Sequence, residues 1–209
     1  GGLQALAEAL DAGRDDFSAK APERPEPPTG PLTDETAGAA IGALLCENAI
    51  VSDESGTSGL HAYLLTAGAP PHDWLCLTGG SIGQGMPVAT GAALACPERP
   101  VISLQGDGGA MYTIQALWTQ AREGLNVTTV IFSNRKYLIL HVELNRLGLA
   151  EAGSKVLDTM NLDRPEPDWV KLAEAMGVSA SRAKTADEFY EQLAKAIREP
   201  GPHLIEAVL

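Results

Sequence analysis

The sequence predicts an α/β fold, a parallel sheet covered by helices on both faces. Two observations predict it. Short apolar runs such as Val101–Leu104 and Val127–Phe132 alternate with stretches of helical spacing, and that order suits parallel strands, which need a crossover after each one. Glycine-rich turns follow two of the strand-like runs, at Gly79–Gly85 and Gly106–Gly109. Open parallel sheets bind ligands at that carboxyl edge.

Taken in order, Leu3–Leu10 has helical spacing but no strand before it, and Lys20–Pro28 is proline-rich and charged, as an extended linker is. A boundary near Pro31 therefore divides the chain into 1–31, a remnant helix and linker from a preceding domain, and 32–209, the main domain. Thr33 is a suitable N-cap for a helix carrying Ile41, Leu44 and Leu45 on one face. Ala49–Ser52 reads as a strand, Asp53–Gly59 as a loop and Leu60–Leu65 as a helix. Trp74–Leu77 is a second strand, closed by the loop Thr78–Pro87 and an alanine-rich helix through Ala95.

The strand from Val101 is followed by one helix, Met111–Glu123, and by the strand from Val127, which ends in Ser133-Asn134. Tyr137–Leu147 has helical spacing, and Gly148–Arg164 reads as a loop with few anchors. A helix over Trp169–Met176, a weak strand near Val178, a helix opened by Thr185 with Glu188 at capping-box spacing and a final strand His203–Val208 complete the alternation.

The 209 residues are enough for about one domain at roughly 150 residues each. A 44% hydrophobic and 20% charged composition describes an ordinary globular chain. The net charge of −12 leaves no basic stripe and argues against nucleic acid as a partner. No apolar run is long enough for a membrane span, and Gly1-Gly2-Leu3-Gln4 lacks the features of a signal peptide, so no membrane role and a cytoplasmic location are expected. Cys46, Cys76 and Cys96 are odd in number, far apart and in apolar contexts, which predicts reduced core residues.

The chemistry concentrates at Gly106-Asp107-Gly108-Gly109 and Asn134, 134 − 107 = 27 residues apart. Glycines let the backbone approach an anion, and Asp and Asn offer hard oxygen ligands, so the pattern points to a Mg-diphosphate site. Other chemistries fail on spacing. Gly83-Gln84-Gly85 has Val88 where a dinucleotide fingerprint needs glycine or alanine, and no P-loop occurs. His141-Val142-Glu143 has no Cys-x-x-Cys after it to make a zinc deaminase, and no Gly-x-Ser-x-Gly elbow is present.

From about Thr33 onward the chain resembles the diphosphate-binding domain of thiamin diphosphate (ThDP) enzymes, in the branch of acetolactate synthase large subunits and benzoylformate decarboxylase. Gly106-Asp107-Gly108, Ile114-Gln115-Ala116-Leu117-Trp118-Thr119 and Gly201-Pro202-His203-Leu204-Ile205-Glu206 stand in family order. The resemblance implies Mg²⁺ held by Asp107, Asn134 and the backbone carbonyl of Lys136. It implies ThDP bound by Gly56, Thr57, Gly108 and Gly109 at the diphosphate, with Tyr137 nearby. Gly80 would accept a hydrogen bond from the aminopyrimidine, and Ile82 would sit beneath the cofactor and bend its rings into a V.

Ser133 replaces the first of the family's two asparagines, and Tyr137–Glu143 departs from the family pattern, which leaves the substrate pocket open. The activating glutamate of the family belongs to a pyrimidine-binding domain of the same or another subunit, and this chain shows none. The chain alone is therefore expected to be inactive, and the complete protein to be a homodimer or homotetramer. The function implied is the cofactor-binding portion of a 2-oxo acid decarboxylase or carboligase, acetolactate synthase-like. Alternatives are a benzoylformate-type aryl 2-oxo acid decarboxylase and a non-catalytic ThDP-binding homologue or partner subunit.

Overall fold

A computed structural model describes residues 1–11, 22–149 and 153–209. Lys20 and Ala21 of the expected linker, and residues 150–152 of the expected Gly148–Arg164 loop, lie outside the described residues. The strands are β1 (Ile50–Glu54), β2 (Asp73–Cys76), β3 (Val101–Gly106), β4 (Val127–Ser133), β5 (Ser179–Ala183) and β6 (His203–Val208). The helices are α1 (Gly2–Ala9), α2 (Asp34–Leu44), α3 (Leu60–Leu65), α4 (Gly85–Ala95), α5 (Asp107–Thr113), α6 (Ala116–Glu123), α7 (Leu138–Arg146), α8 (Ser154–Asp158), α9 (Trp169–Ala175) and α10 (Ala186–Arg198).

The strands form one sheet in the order β2-β1-β3-β4-β6-β5, and every pairing is parallel. Central β4 is buried throughout, as a strand covered on both faces must be. Val130 and Phe132 point into a core with Ile41 of α2, Leu45 just after it, and Phe189 and Leu193 of α10. Ile131, between them, points the other way, to Met86 of α4, Leu117 of α6 and Trp169 of α9. The period-2 alternation of side chains thus builds one core on each face.

Local chemistry sets the helix ends. The Thr33 hydroxyl accepts the Thr36 N–H at 3.1 Å, and the Thr36 hydroxyl returns the bond to the Thr33 N–H at 2.9 Å. Thr185 caps α10 through the Glu188 N–H at 3.2 Å, but the Glu188 carboxylate reaches the Lys184 N–H rather than that of Thr185. Gly124, with φ 61°, ends α6 in the left-handed conformation that glycine adopts without strain. In the N-terminal part, Leu3, Leu6 and Leu10 of the α1 region are exposed, and Arg24 donates to the carbonyls of Gly42 and Leu45.

Four expectations are corrected. The single helix Met111–Glu123 is two, α5 and α6, joined by a tight turn in which Leu117 and Trp118 bond to the carbonyls of Ile114 and Gln115. The strand expected to stop at Ser52 continues through Asp53 and Glu54, because β1 lies between two parallel neighbours that satisfy its backbone. The part of the Gly148–Arg164 stretch from residue 153 on is anchored: it contains α8, and its Met160 carbonyl and Leu162 N–H bond to Tyr137 and Arg135 at 2.8 and 2.7 Å. The cysteines are reduced, but Cys76 is exposed, since β2 is the sheet's edge.

Helices α2 and α3 pack backbone to backbone. A Cβ on Gly38 would lie 2.8 Å from the His61 carbonyl carbon and 2.9 Å from the Ala62 nitrogen. Alanine would gain at most about 1 kcal/mol of helix propensity, whereas overpacking costs about 1–3 kcal/mol. Gly38→Ala is therefore expected to destabilise the chain by about 1–2 kcal/mol in urea unfolding, the reverse of an exposed helical glycine.

Candidate functional site

From β1 the chain winds outward to β2 and then crosses back to β3 on the other side of β1, so its direction reverses between β1 and β3. A crevice opens at the carboxyl ends of two such strands. Here it is a cleft of about 360 Å³. All ten candidate residues line it: Asp107, Gly108 and Gly109 after β3, Asn134, Lys136 and Tyr137 after β4, Gly56 and Thr57 after β1, and Gly80 and Ile82 after β2.

Asp107 lies at the floor with 2% of its surface exposed. Its position at the end of a central strand, as the first residue of α5, buries it. Its Oδ1 accepts the Gly108 N–H at 2.8 Å, and its Oδ2 accepts the Arg135 N–H. Burial pushes the carboxyl up from 3.8 to about 6, against the downward pull of backbone N–H groups of Arg135, Gly108 and Asn134. The Arg135 guanidinium is directed elsewhere, to Glu166 at 3.7 Å and the Leu209 carbonyl at 3.2 Å.

Asn134 accepts the Lys136 N–H at 3.1 Å and donates to the Ser58 hydroxyl at 3.1 Å, which ties the short 3₁₀ turn Gly56–Ser58 to the loop after β4. The backbone on either side of Lys136 is fixed by its bridge with Asn161. A buried carboxylate with no ion pair among the described residues, beside an amide oxygen and a held backbone, is a set of hard oxygen donors that fits a divalent cation such as Mg²⁺. Among the described residues no group of three or more His, Cys, Asp or Glu is placed to hold a metal.

The floor is closely packed against the loop after β4. The Tyr137 ring covers Gly108 so closely that a Cβ there would fall 2.6 Å from it. Burial raises the Tyr137 phenol above its ordinary range, helped by Tyr112 and Asp107, and it stays protonated at neutral pH. The Gly108 N–H, expected to face a diphosphate, is engaged by Asp107 in this structure. On the opposite wall Gly79 and Gly80 have φ of 64° and 68°, which lets the chain reverse there and expose the Gly80 backbone. Ile82 is 38% exposed and presents an apolar side chain to the cleft.

Several lining residues escape sequence reasoning. Glu54, Leu60, Leu77, Leu138 and Ile139 all border the cleft. Glu54 falls in a stretch read as loop, although an acidic residue between a strand and a Ser-Gly turn, facing a glycine-rich loop, is a usable signal. Leu138 and Ile139 begin α7, within the segment that departs from the family pattern, and they supply apolar surface beside Tyr137. Ser133 is 1% exposed, its hydroxyl has no hydrogen-bond partner among the described residues, and its carbonyl accepts the Leu209 N–H at 3.1 Å.

Comparison with known proteins agrees with this geometry. The family model described as thiamine pyrophosphate enzyme, C-terminal TPP binding domain, matches residues 54–207. A Mycobacterium tuberculosis protein provisionally named acetolactate synthase large subunit is 56% identical over 187 residues, covering 89% of this chain and 36% of the relative. Benzoylformate decarboxylase of Pseudomonas aeruginosa is 34% identical, covering 87% of this chain and 34% of the relative. Among solved structures, the thiamine diphosphate-dependent 4-hydroxybenzoylformate decarboxylase of Rhodococcus jostii RHA1 superimposes with a TM-score of 0.73 at 29% identity, over 91% of this chain and 33% of that one. The chain thus spans about a third of the length of these relatives. A cleft at the switch point and a match running from Glu54 to Ala207 lead to one assignment: the chain belongs to the thiamine pyrophosphate enzymes, as their C-terminal TPP-binding domain.

Proposed function

We propose that this chain is the cofactor- and Mg²⁺-binding portion of a ThDP-dependent 2-oxo acid decarboxylase or carboligase of the acetolactate synthase type. The observation that carries the proposal is the convergence of ten residues from four strand ends on one cleft whose floor is the buried Asp107. When bound, ThDP supplies an electron sink for loss of CO₂ from a 2-oxo acid. Asp107, Asn134 and the Lys136 carbonyl would hold Mg²⁺, each oxygen keeping a lone pair beyond the bonds already described. Backbone N–H groups at Gly56, Thr57, Gly108 and Gly109 would hold the diphosphate. The Gly80 carbonyl and the Ile82 side chain would orient the rings.

This chain has half of the catalytic apparatus. The other half would come from a pyrimidine-binding domain of the same or another subunit, and the exposed Leu60 and Ile139, which line the cleft, leave apolar surface for such a domain to cover. The complete protein, or this chain reconstituted with a pyrimidine-binding domain, is expected to release CO₂ from pyruvate and form acetolactate with ThDP and Mg²⁺, while the chain alone is silent. Silence of the complete protein toward every 2-oxo acid tested would sink the catalytic reading. A benzoylformate-type activity is the second reading, favoured by the likeness to a 4-hydroxybenzoylformate decarboxylase. A panel of aliphatic and aryl 2-oxo acids separates the two.

A further inference from the structure

Glu54 is a buried acid that the proposed cofactor chemistry does not use. It ends β1 with 3% of its surface exposed, in register with Gln105 of β3. Its Oε1 accepts the Gly83 N–H at 2.6 Å, and its Oε2 accepts the Gly85 N–H. Glycines fence the carboxylate: a Cβ on Gly109 would fall 2.5 Å from Oε1, and one on Gly85 would fall 2.7 Å from the Glu54 Cβ. Among the described residues no basic side chain forms a salt bridge with it, so backbone N–H groups carry its stabilisation. A buried carboxylate survives only with such charge-assisted donors.

The Gly83 N–H belongs to the loop between β2 and α4, which carries Gly80 and Ile82, and the Gly85 N–H opens α4 where that loop ends. With Gly79, Gly80 and Gly83 all at positive φ, the loop has much conformational freedom to lose on ordering. The Gln84 side chain closes it on itself through the carbonyls of Thr78 and Ser81. Glu54 joins it to β1 through the Gly83 N–H, and where the loop enters α4 the Glu54 carboxylate takes the Gly85 N–H while the Ser52 hydroxyl of the same strand donates to the Gly85 carbonyl at 2.9 Å. The same carboxylate touches the floor at Gly109.

We infer that Glu54 is a positioning residue, which sets the distance between the ring-side loop of Gly80 and Ile82 and the diphosphate-side floor of Asp107, Gly108 and Gly109. This role rests on the ThDP reading proposed above. It predicts an effect that separates the two ends of the ligand. Glu54→Gln replaces one acceptor oxygen by an NH₂ donor that faces an N–H, which frees the loop without touching the metal residues.

The test is calorimetry on the folded chain with Mg²⁺ and either ThDP or inorganic diphosphate, which has no rings. The wild-type chain is expected to bind ThDP more tightly than diphosphate. Glu54→Gln should weaken ThDP about tenfold or more, the scale on which outer-sphere partners act, and leave diphosphate within about twofold. Glu54→Asp, which keeps the charge, should recover part of the loss. Parallel weakening of both ligands, or an unchanged preference for ThDP, would overturn the positioning role. Binding of neither by the wild-type chain, even with a pyrimidine-binding domain present, would sink the cofactor reading instead. Amide exchange in the wild-type chain tests the loop contact without any variant or ligand: slow exchange at Gly83 and Gly85 is expected, and exchange at the rate of free peptide would overturn the inference even if Glu54→Gln failed to fold.

Discussion

Asp107→Ala is expected to remove Mg²⁺-dependent ThDP binding, by about 100-fold or more, from a chain that remains folded. The magnitude follows because loss of an outer-sphere partner alone costs about 10–100-fold in metal affinity, and Asp107 is the one carboxylate in the proposed ligand set. The fold should persist because the buried carboxylate is itself unfavourable in the metal-free state. The sign can be worked out: the folded value of about 6 lies above the ordinary 3.8, so the fold favours the protonated acid. That contribution is complete below pH 3.8 and is lost as the pH rises through about 6. At 1.36 kcal/mol per unit it amounts to about 2–3 kcal/mol. Chemical unfolding of metal-free wild type and Asp107→Asn between pH 4 and 7 should show it as a difference that shifts against the wild type as pH rises. A flat difference would contradict the burial argument.

Arg182→Ala is expected to destabilise the chain by about 3 kcal/mol although Arg182 lies far from the cleft. Glu206 in β6 is 1% exposed, and its carboxylate accepts from Arg182 Nε at 2.7 Å. The guanidinium also reaches Asp168 at 3.1 Å, and the Glu206 bond is the largest cause of its raised pKa. Removing the cation leaves a buried charge uncompensated, a change worth about 3–5 kcal/mol. The lower end applies because the Arg182 side chain is 40% exposed, so water can take its place in part. Glu206→Gln in the Arg182→Ala background should recover most of the loss, because a neutral amide needs no counter-ion. Urea unfolding of the two variants checks this, and a change under about 1 kcal/mol for Arg182→Ala would contradict it.

Much of the fold was legible because the strands obey a simple rule. Val127–Phe132 and Val101–Leu104 are apolar on both faces and became the buried centre of the sheet. The errors fall where tertiary packing overrides local composition. Ser52-Asp53-Glu54 looks like a turn, yet two parallel neighbours extend β1 through it. Trp74-Leu75-Cys76-Leu77 looks like a core strand, but the topology puts it at the edge with Leu75 and Cys76 exposed. No glycine or proline stands between Thr113 and Ala116 to announce the break between α5 and α6.

The candidate site was legible through resemblance more than through physics. Gly80 and Ile82 carry no local sign of facing Asp107 across a cleft, and only the winding of the sheet brings them together. Asp107 between glycines has no hydrophobic signature to reveal its burial. The anchoring of Met160 and Leu162 to the loop after β4 runs through backbone atoms alone, which side-chain patterns do not record.

The central claim is that one cleft holds the metal and the cofactor together. It is tested most directly by titrating Mn²⁺, in place of Mg²⁺, into isotope-labelled chain with ThDP present and reading the broadening of backbone amide signals. The account predicts broadening that begins at Gly108, Asn134 and Lys136, requires ThDP and disappears in Asp107→Ala. Broadening centred away from the cleft, or persisting unchanged in Asp107→Ala, would contradict it.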